Sequence, residues 1–267
     1  MNLADATIVL RPRGVAELFD LACRFCAQNA LALYLRLAAV TLLPGLVACL
    51  VLRYAQDASW FTVWLVAVAW VTVSQGVFTV AASRLLLDRD TRARDVLKGF
   101  RARLFSYLGA LFLSRMLLLF GASVFLLLLP SAWTRMLFVH EASLLEGATS
   151  YEATTRSTRF IRGRGGIAFQ VLMLILLAQA GSIAIAELLA DGLLADVLQL
   201  GNPFGGTLDQ GGSPFALAGL FVSVPYVATA RFLHYIDTRT RTDGWDIQVR
   251  LLATAALEKD DAKRAAA

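Results

Sequence analysis

Cysteine, histidine, lysine and charge of either sign are all scarce in this chain. Three cysteines in 267 residues exclude a disulfide-stapled scaffold, which needs several pairs. Charged residues make up 17% of the chain, against about 25% in an ordinary soluble domain. Of the 25 cations, all but Lys98, Lys259 and Lys263 are arginine. Apolar residues fill the space, at 58% of the chain with a mean hydropathy of +0.63, against about 45–50% in soluble domains. That surplus is too large for one water-soluble core, and it excludes disordered and collagen-like chains. The composition predicts an all-α, multi-pass membrane protein. The net charge of +5 and pI near 9.4 do not imply nucleic acid, because no RNA- or DNA-binding motif accompanies them. The arginines fall in short blocks between apolar runs, the pattern that orients a chain in a bilayer.

Crossing about 30 Å of hydrocarbon takes about 20 helical residues. Residues 60–83 hold no charge, and residues 167–190 hold only Glu187. Residues 37–52 are charge-free between Arg36 and Arg53, and residues 215–230 are ended by Arg231; arginine stems at such positions reach the interface. Residues 104–145 would make one helix of about 63 Å, twice a bilayer. The segment before them, 84–103, has seven cations against three Asp, and the segment after, 151–164, has four Arg against one Glu. Both are expected on the cytoplasmic side, so the chain must cross an even number of times between them. A helical hairpin turning at Pro130–Ser131 meets that requirement.

The expected architecture is a bundle of about six transmembrane helices with both termini cytoplasmic. It divides into a tail and interfacial helix (1–29), a six-span membrane domain (30–236) and a cytoplasmic amphipathic tail (237–267). The outer connections, 54–59 and 191–213, contain no Lys or Arg. Trp60, Trp64 and Trp133 are expected at the outer boundary and Trp245 at the inner one. The N-terminus lacks the pattern of an ordinary signal peptide.

Between the spans, apolar stripes predict interfacial amphipathic helices. Val15, Leu18, Phe19, Ala22, Cys23 and Cys26 form one stripe, and Val96, Leu97, Phe100 and Leu104 a second. Thr149-Ser150-Tyr151-Glu152 is a capping-box pattern that opens a third helix, and Trp245, Val249, Leu252 and Ala256 form a fourth stripe. The first three helices each precede a pair of spans. Glu17 with Arg24-Phe25 and Glu152 with Arg159-Phe160 share a spacing, which suggests a threefold repeat of surface helix, span, span; independent helices shaped by the same interface would look alike too.

Three stretches carry a resemblance. Arg11-Pro12-Arg13-Gly14-Val15-Ala16-Glu17-Leu18-Phe19-Asp20 opens the chain. Leu145-Glu146-Gly147, Glu152-Ala153, Arg156-Ser157 and Arg162-Gly163-Arg164 lie in its middle. Tyr235, Asp237, Arg239, Arg241, Asp243, Gly244, Trp245 and Asp246 close it. Together they resemble a bacterial multi-pass membrane-domain family found fused to glycerophosphoryl diester phosphodiesterases and as stand-alone membrane proteins. The resemblance implies a bundle of about six helices in the bacterial cytoplasmic (inner) membrane. It implies no activity for the membrane part, since the phosphodiesterase chemistry of fused members belongs to a separate domain.

Tests for chemistry return little. Cys23-x-x-Cys26 lacks two further zinc ligands and reads as small packing residues. His140-Glu141 begins like a zinc-protease motif, but the second histidine position is Leu144. Gly163, Gly165 and Gly166 lack the Lys-Ser/Thr of a phosphate loop and read as a joint before a span. No catalytic residue, cofactor or metal is expected.

Ionisable residues at depth are the better candidates. Arg115 falls near the midplane, where a cation costs about 2.5–3.5 kcal/mol; Arg135, His140, Glu141 and Glu187 are the others, with Gln75, Gln170 and Gln179. Arg115 is expected to face the bundle interior within reach of Glu141 or another polar side chain. In the closing motif, Asp237 and Arg241 are spaced for a same-face ion pair, and Arg239 or Arg241 is expected to clasp Asp88, Asp90, Asp95 or Glu152. The function these features predict is a non-enzymatic scaffold or accessory subunit of an envelope-associated complex, in contact with membrane lipids and with an envelope membrane protein or a cytoplasmic partner. The alternative is a transporter or lipid-handling protein using the residues around Arg115. A dry bundle favours the first, and a cavity reaching Arg115 the second.

Overall fold

The computed structural model describes residues 13–87, 91–124, 129–201 and 203–243. Among them the chain is helical throughout, with no strand. In order come α1 (Val15–Arg24), α2 (Leu31–Tyr54), α3 (Trp60–Leu87), α4 (Ala93–Val124), α5 (Leu129–Arg135), α6 (Val139–Leu145), α7 (Ser150–Ile161), α8 (Gly165–Asp191), α9 (Thr207–Gln210) and α10 (Pro214–Asp243). Five stretches are long and apolar enough to cross a membrane: Val15–Tyr54, Trp60–Leu86, Ala93–Ser123, Gly165–Val197 and Pro214–Thr242. The chain is thus built as a multi-pass membrane protein, with five such helices where the sequence suggests six.

The missing sixth is the return arm of the hairpin. It is present as two short helices, α5 and α6, broken at residues 136–138. Pro130 does start a helix, since it is the second residue of α5, where its absent N–H leaves no helical bond unmade. The arm nevertheless returns to its starting level: Ser106 Oγ donates to Ala148 O at 2.9 Å, and Ser150 Oγ to Ser106 O at 3.4 Å. The two ends of the hairpin thus lie side by side without a continuous sixth helix. Pro130 and Ser131, however, line a groove of about 750 Å³ with Arg162, Gly163 and Gly166. The turn region thus sits against the arginine-rich joint, away from the two arginine-free connections. The second of these connections packs on the start of α3, as Trp64 Nε1 donates to Gly211 O at 2.8 Å and the Trp60 ring lies over Gly212.

Helices divide into inner and outer. In the most apolar window of each, 78% of α10 and 61% of α3 is buried, against 28% of α4, 22% for the stretch containing α2 and 17% for that containing α8. Residues 139–144 of α6 are all buried. Each pair of spans thus places its first member outside and its second inside. The close seam is between α8 and α10, where Gly219 lies against the Ser182 carbonyl with no room for a Cβ.

Two of the three expected surface helices run straight on into spans. A π-helical turn, Phe25–Ala30, joins α1 to α2, and residues 95–107 are simply the start of α4. α7 alone is set off, by a turn at Gly163, whose φ of +79° is a conformation that glycine adopts without strain. The capping box that begins α7 is formed: Glu152 N–H donates to Thr149 Oγ1 at 3.4 Å, and Thr149 N–H to Glu152 Oε2 at 3.1 Å. α1 packs across α10, with the Phe19 ring 5.1 Å from that of His234, and α2 joins it where Tyr34 bonds Thr229 at 2.7 Å.

Candidate functional site

Each inner helix contributes one polar residue to a buried cluster. α10 supplies Arg231, α6 supplies Glu141 and α3 supplies Gln75. Arg231 Nε donates to Glu141 Oε1 at 2.7 Å, and Arg231 Nη1 to Gln75 Oε1 at 2.8 Å. Side-chain exposure is 7% for Arg231 and 0% for Glu141. Beside this pair, Tyr107 of α4 shares a 2.6 Å hydrogen bond with His140 Nδ1 and donates to Thr72 O at 2.9 Å. Two atoms of the pair keep no partner among the described residues: Arg231 Nη2 and Glu141 Oε2. A buried charge pair is costly to desolvate and stable only when its remaining donors and acceptors are met, so Nη2 is an open valence in the cluster.

It borders a cavity. A space of about 270 Å³ lies between α3, α4, α8 and α10, closed on one side by the α5–α6 break. Its polar lining is Thr72, Gln75, Ser114, Arg115, His140, Gln179 and Arg231, and the rest is apolar, including Trp133, Leu137 and Leu172. Arg115 faces the interior as expected, but its partner is not Glu141, which Arg231 has taken. Arg115 makes no hydrogen bond or ion pair with any described residue. Two guanidinium groups thus face one cavity with a single carboxylate behind them. In a low-dielectric setting that surplus favours an anion. Trp133, expected at the outer boundary, instead walls this cavity.

The three stretches that carry the resemblance meet at the arginine-rich end. Arg13 N–H donates to Asp237 Oδ1 at 2.8 Å, and Arg241 donates to both Asp237 Oδ2 at 2.8 Å and Arg13 O at 2.7 Å. Glu146 accepts from Tyr235 and pairs with Arg156 at 2.6 Å and Arg239 at 3.6 Å. Hydrogen bonding to Glu146 holds the Arg156 guanidinium above its usual pKa. The closing motif therefore does clasp other segments, but through Glu146 and the Arg13 backbone rather than Asp95 or Glu152. Glu146 is the C-cap of α6, in the turn that leads into α7. Asp88 and Asp90 lie outside the described residues, as do Gly244, Trp245, Asp246 and the fourth stripe; Asp243 is the last residue of α10.

The other sequence candidates fall elsewhere. Arg135 is exposed and lines the groove beside Arg162. Glu187 accepts a hydrogen bond from the Thr207 N–H and anchors the α9 loop. Gln170 lines a separate cavity near His234. Cys23 is exposed, Cys26 half-buried and Cys49 buried, all as free thiols. No cluster of metal-ligating side chains is found among the described residues.

Arg231 is the residue sequence reasoning missed, because it reads as the cation that ends a span. A signal was present. Residues 80–94 and 227–241 share Val, Ala, Arg, Leu, Asp, Thr, Arg and Arg at identical spacing, aligning Arg231 with Arg84 at the end of another inner helix. Compared with protein-family profiles, curated proteins and solved structures, the chain matches none.

Proposed function

We propose that this chain is a non-enzymatic integral membrane protein that binds an anionic ligand in its central cavity, as a transporter or lipid-handling protein. One observation carries the reading: Arg115 lines the cavity with no partner among the described residues, beside Arg231, which has Glu141 as its acid but leaves Nη2 unmet. A cation kept unpaired at bilayer depth costs about 2.5–3.5 kcal/mol, a cost that an anionic ligand offsets. A scaffold is best served by a dry bundle, so the cavity weighs for the alternative reading. The cavity is of a size for a headgroup or a small anion, below the roughly 300–1,000 Å³ of sites for drug-sized ligands.

In this reading the protein sits in the bacterial cytoplasmic membrane with its arginine-rich end and both termini inside. α2, α3, α8 and α10 are full crossings. The α4–α6 hairpin enters and returns, keeping the count even, and α7 lies along the interface. Membership of the phosphodiesterase-fused membrane-domain family is part of the same proposal, supported by the meeting of its three motif stretches at one end.

The test is a thiol at Gln179, which lines the cavity, in a chain whose three native cysteines are replaced by alanine. An anionic methanethiosulfonate should react with Gln179→Cys faster than a cationic one, by about tenfold once normalised to a free thiol. No reaction with either reagent means a dry bundle, and the proposal fails.

A further inference from the structure

A second cavity, of about 340 Å³, opens at the arginine-rich end between α1, α10 and the joint that precedes α8. It shares no lining residue with the central cavity. Its floor is apolar, formed by Leu18, Phe138, Ile161 and Val171, all buried. Its rim carries Arg13, Arg164 and Arg241 against one acid, Asp237. Arg13 and Arg241 are committed, the first to Glu17 at 3.2 Å and the second to Asp237. Arg164 is different: its half-buried side chain has no hydrogen bond or ion pair with a described residue.

An independent feature points into the same space. His234 is 4% exposed and lines this cavity, and its Nε2 is buried without a partner. A buried polar nitrogen is normally satisfied, so this one calls for an acceptor when it carries the proton. Behind it lies the start of α8, whose N-cap, Arg164, provides no side-chain cap. Ile167 and Ala168 of that first turn line the cavity. An unpaired guanidinium and a buried imidazole nitrogen thus converge on one volume, and the ligand they share is an oxyanion.

We propose that this cavity binds the phosphate of an anionic phospholipid. The lipid source follows from where the cavity opens. Ile167, on its wall, is 55% exposed, and it stands in the first turn of α8, whose apolar span presents a surface only 17% buried in its most hydropathic window. A free phosphate has no use for that surface, whereas acyl chains lie along it while the headgroup sits among the donors. Basic pockets between helices at the cytoplasmic interface are the usual place for such headgroups.

The experiment titrates the full-length protein in neutral detergent with phosphatidylglycerol, phosphatidylcholine or inorganic phosphate, counting bound lipid by native mass spectrometry and following thermal stability. Phosphatidylglycerol should bind and raise the melting temperature, and phosphatidylcholine should not. Arg164→Gln should weaken phosphatidylglycerol binding by about tenfold or more, the loss expected for one charge-assisted hydrogen bond. His234→Phe, which keeps a ring against Phe19, should weaken it as well. Arg162→Gln removes the same charge from the exposed neighbour outside the cavity and should leave binding unchanged. Equal weakening by Arg162→Gln and Arg164→Gln reduces the effect to diffuse surface charge and overturns the site. Equal binding of phosphatidylcholine overturns the anion preference. Inorganic phosphate giving the full thermal shift at matched concentration assigns the cavity to a soluble ligand and overturns the lipid.

Discussion

Two arginines at similar depth in one bundle have opposite surroundings. Arg231 is buried on an inner helix and held by a carboxylate and an amide from two other inner helices. Arg115 stands on an outer helix, half-buried, bordering open space with no partner among the described residues. A charge that is paired and immobilised fixes how helices meet, and removing one side of the pair leaves the other stranded. A charge that is left unpaired contributes nothing to the bundle and awaits something from outside. The contrast separates architecture from activity by partner, not by residue type.

The largest expected effect is at the paired arginine. Arg231→Leu or Glu141→Leu alone should destabilise the protein by about 3–5 kcal/mol, and the two together by far less. Detergent-melting curves of the two single variants and the double variant check this; a double variant as unstable as either single would break the architectural reading of Arg231. Next is the α8–α10 seam beside the cavity. Gly219→Val forces a side chain against the Ser182 carbonyl and should cost about 1–3 kcal/mol through overpacking, read by the same melting assay. Arg115→Leu should do the reverse of Arg231→Leu. It removes an uncompensated cation and should leave stability unchanged or raise it by up to about 2.5 kcal/mol. It should also erase the preference of Gln179→Cys for the anionic thiol reagent. Loss of stability comparable to Arg231→Leu would make Arg115 a structural residue and erase the contrast.

The smallest effect belongs to the α7 cap. The Thr149 backbone N–H holds the exposed Glu152 carboxyl below its usual pKa. A depressed pKa in the folded state means the contribution is present at neutral pH and is lost as pH falls through the folded value. Glu152→Gln should therefore lower the melting temperature slightly at neutral pH, and the difference from the parent should shrink as acid protonates the parent's carboxyl. A gap between the two that persists in acid would point to a cause other than the carboxylate charge.

Much of this was legible in the sequence where one segment decides its own fate. Charge-free length located α3 and α8, the Thr149–Glu152 pattern gave the α7 cap, and Asp237 and Arg241 paired as their i,i+4 spacing requires. The errors share one physical origin: they depend on what another helix supplies. Arg231 is not an interfacial cation, because Glu141 and Gln75 meet it inside the bundle, and neither is near it in sequence. For the same reason Arg115 was matched to Glu141, the nearest acid in its hairpin, when the acid was already engaged from α10. The hairpin arm breaks at residues 136–138, where the Phe138 N–H bonds to Ser157 Oγ and Ser157 Oγ in turn donates to Arg135 O. A side chain on α7 replaces the helical bonds there, and hydropathy gives no warning of it.

α10 runs unbroken from Pro214 to Asp243, so the two cavities have a rigid lever in common. Arg231 reaches into one, and Arg241, ten residues or about 15 Å further along the axis, stands on the rim of the other. If an occupant of the central cavity turns the helix at Arg231, the Arg241 guanidinium held by Asp237 and the Arg13 carbonyl turns with it. By thermodynamic reciprocity, whatever grips the rim alters affinity at the centre by the same factor. Membrane composition at the arginine-rich face would then set the gain of a device buried in the bundle, without a hinge or a moving domain.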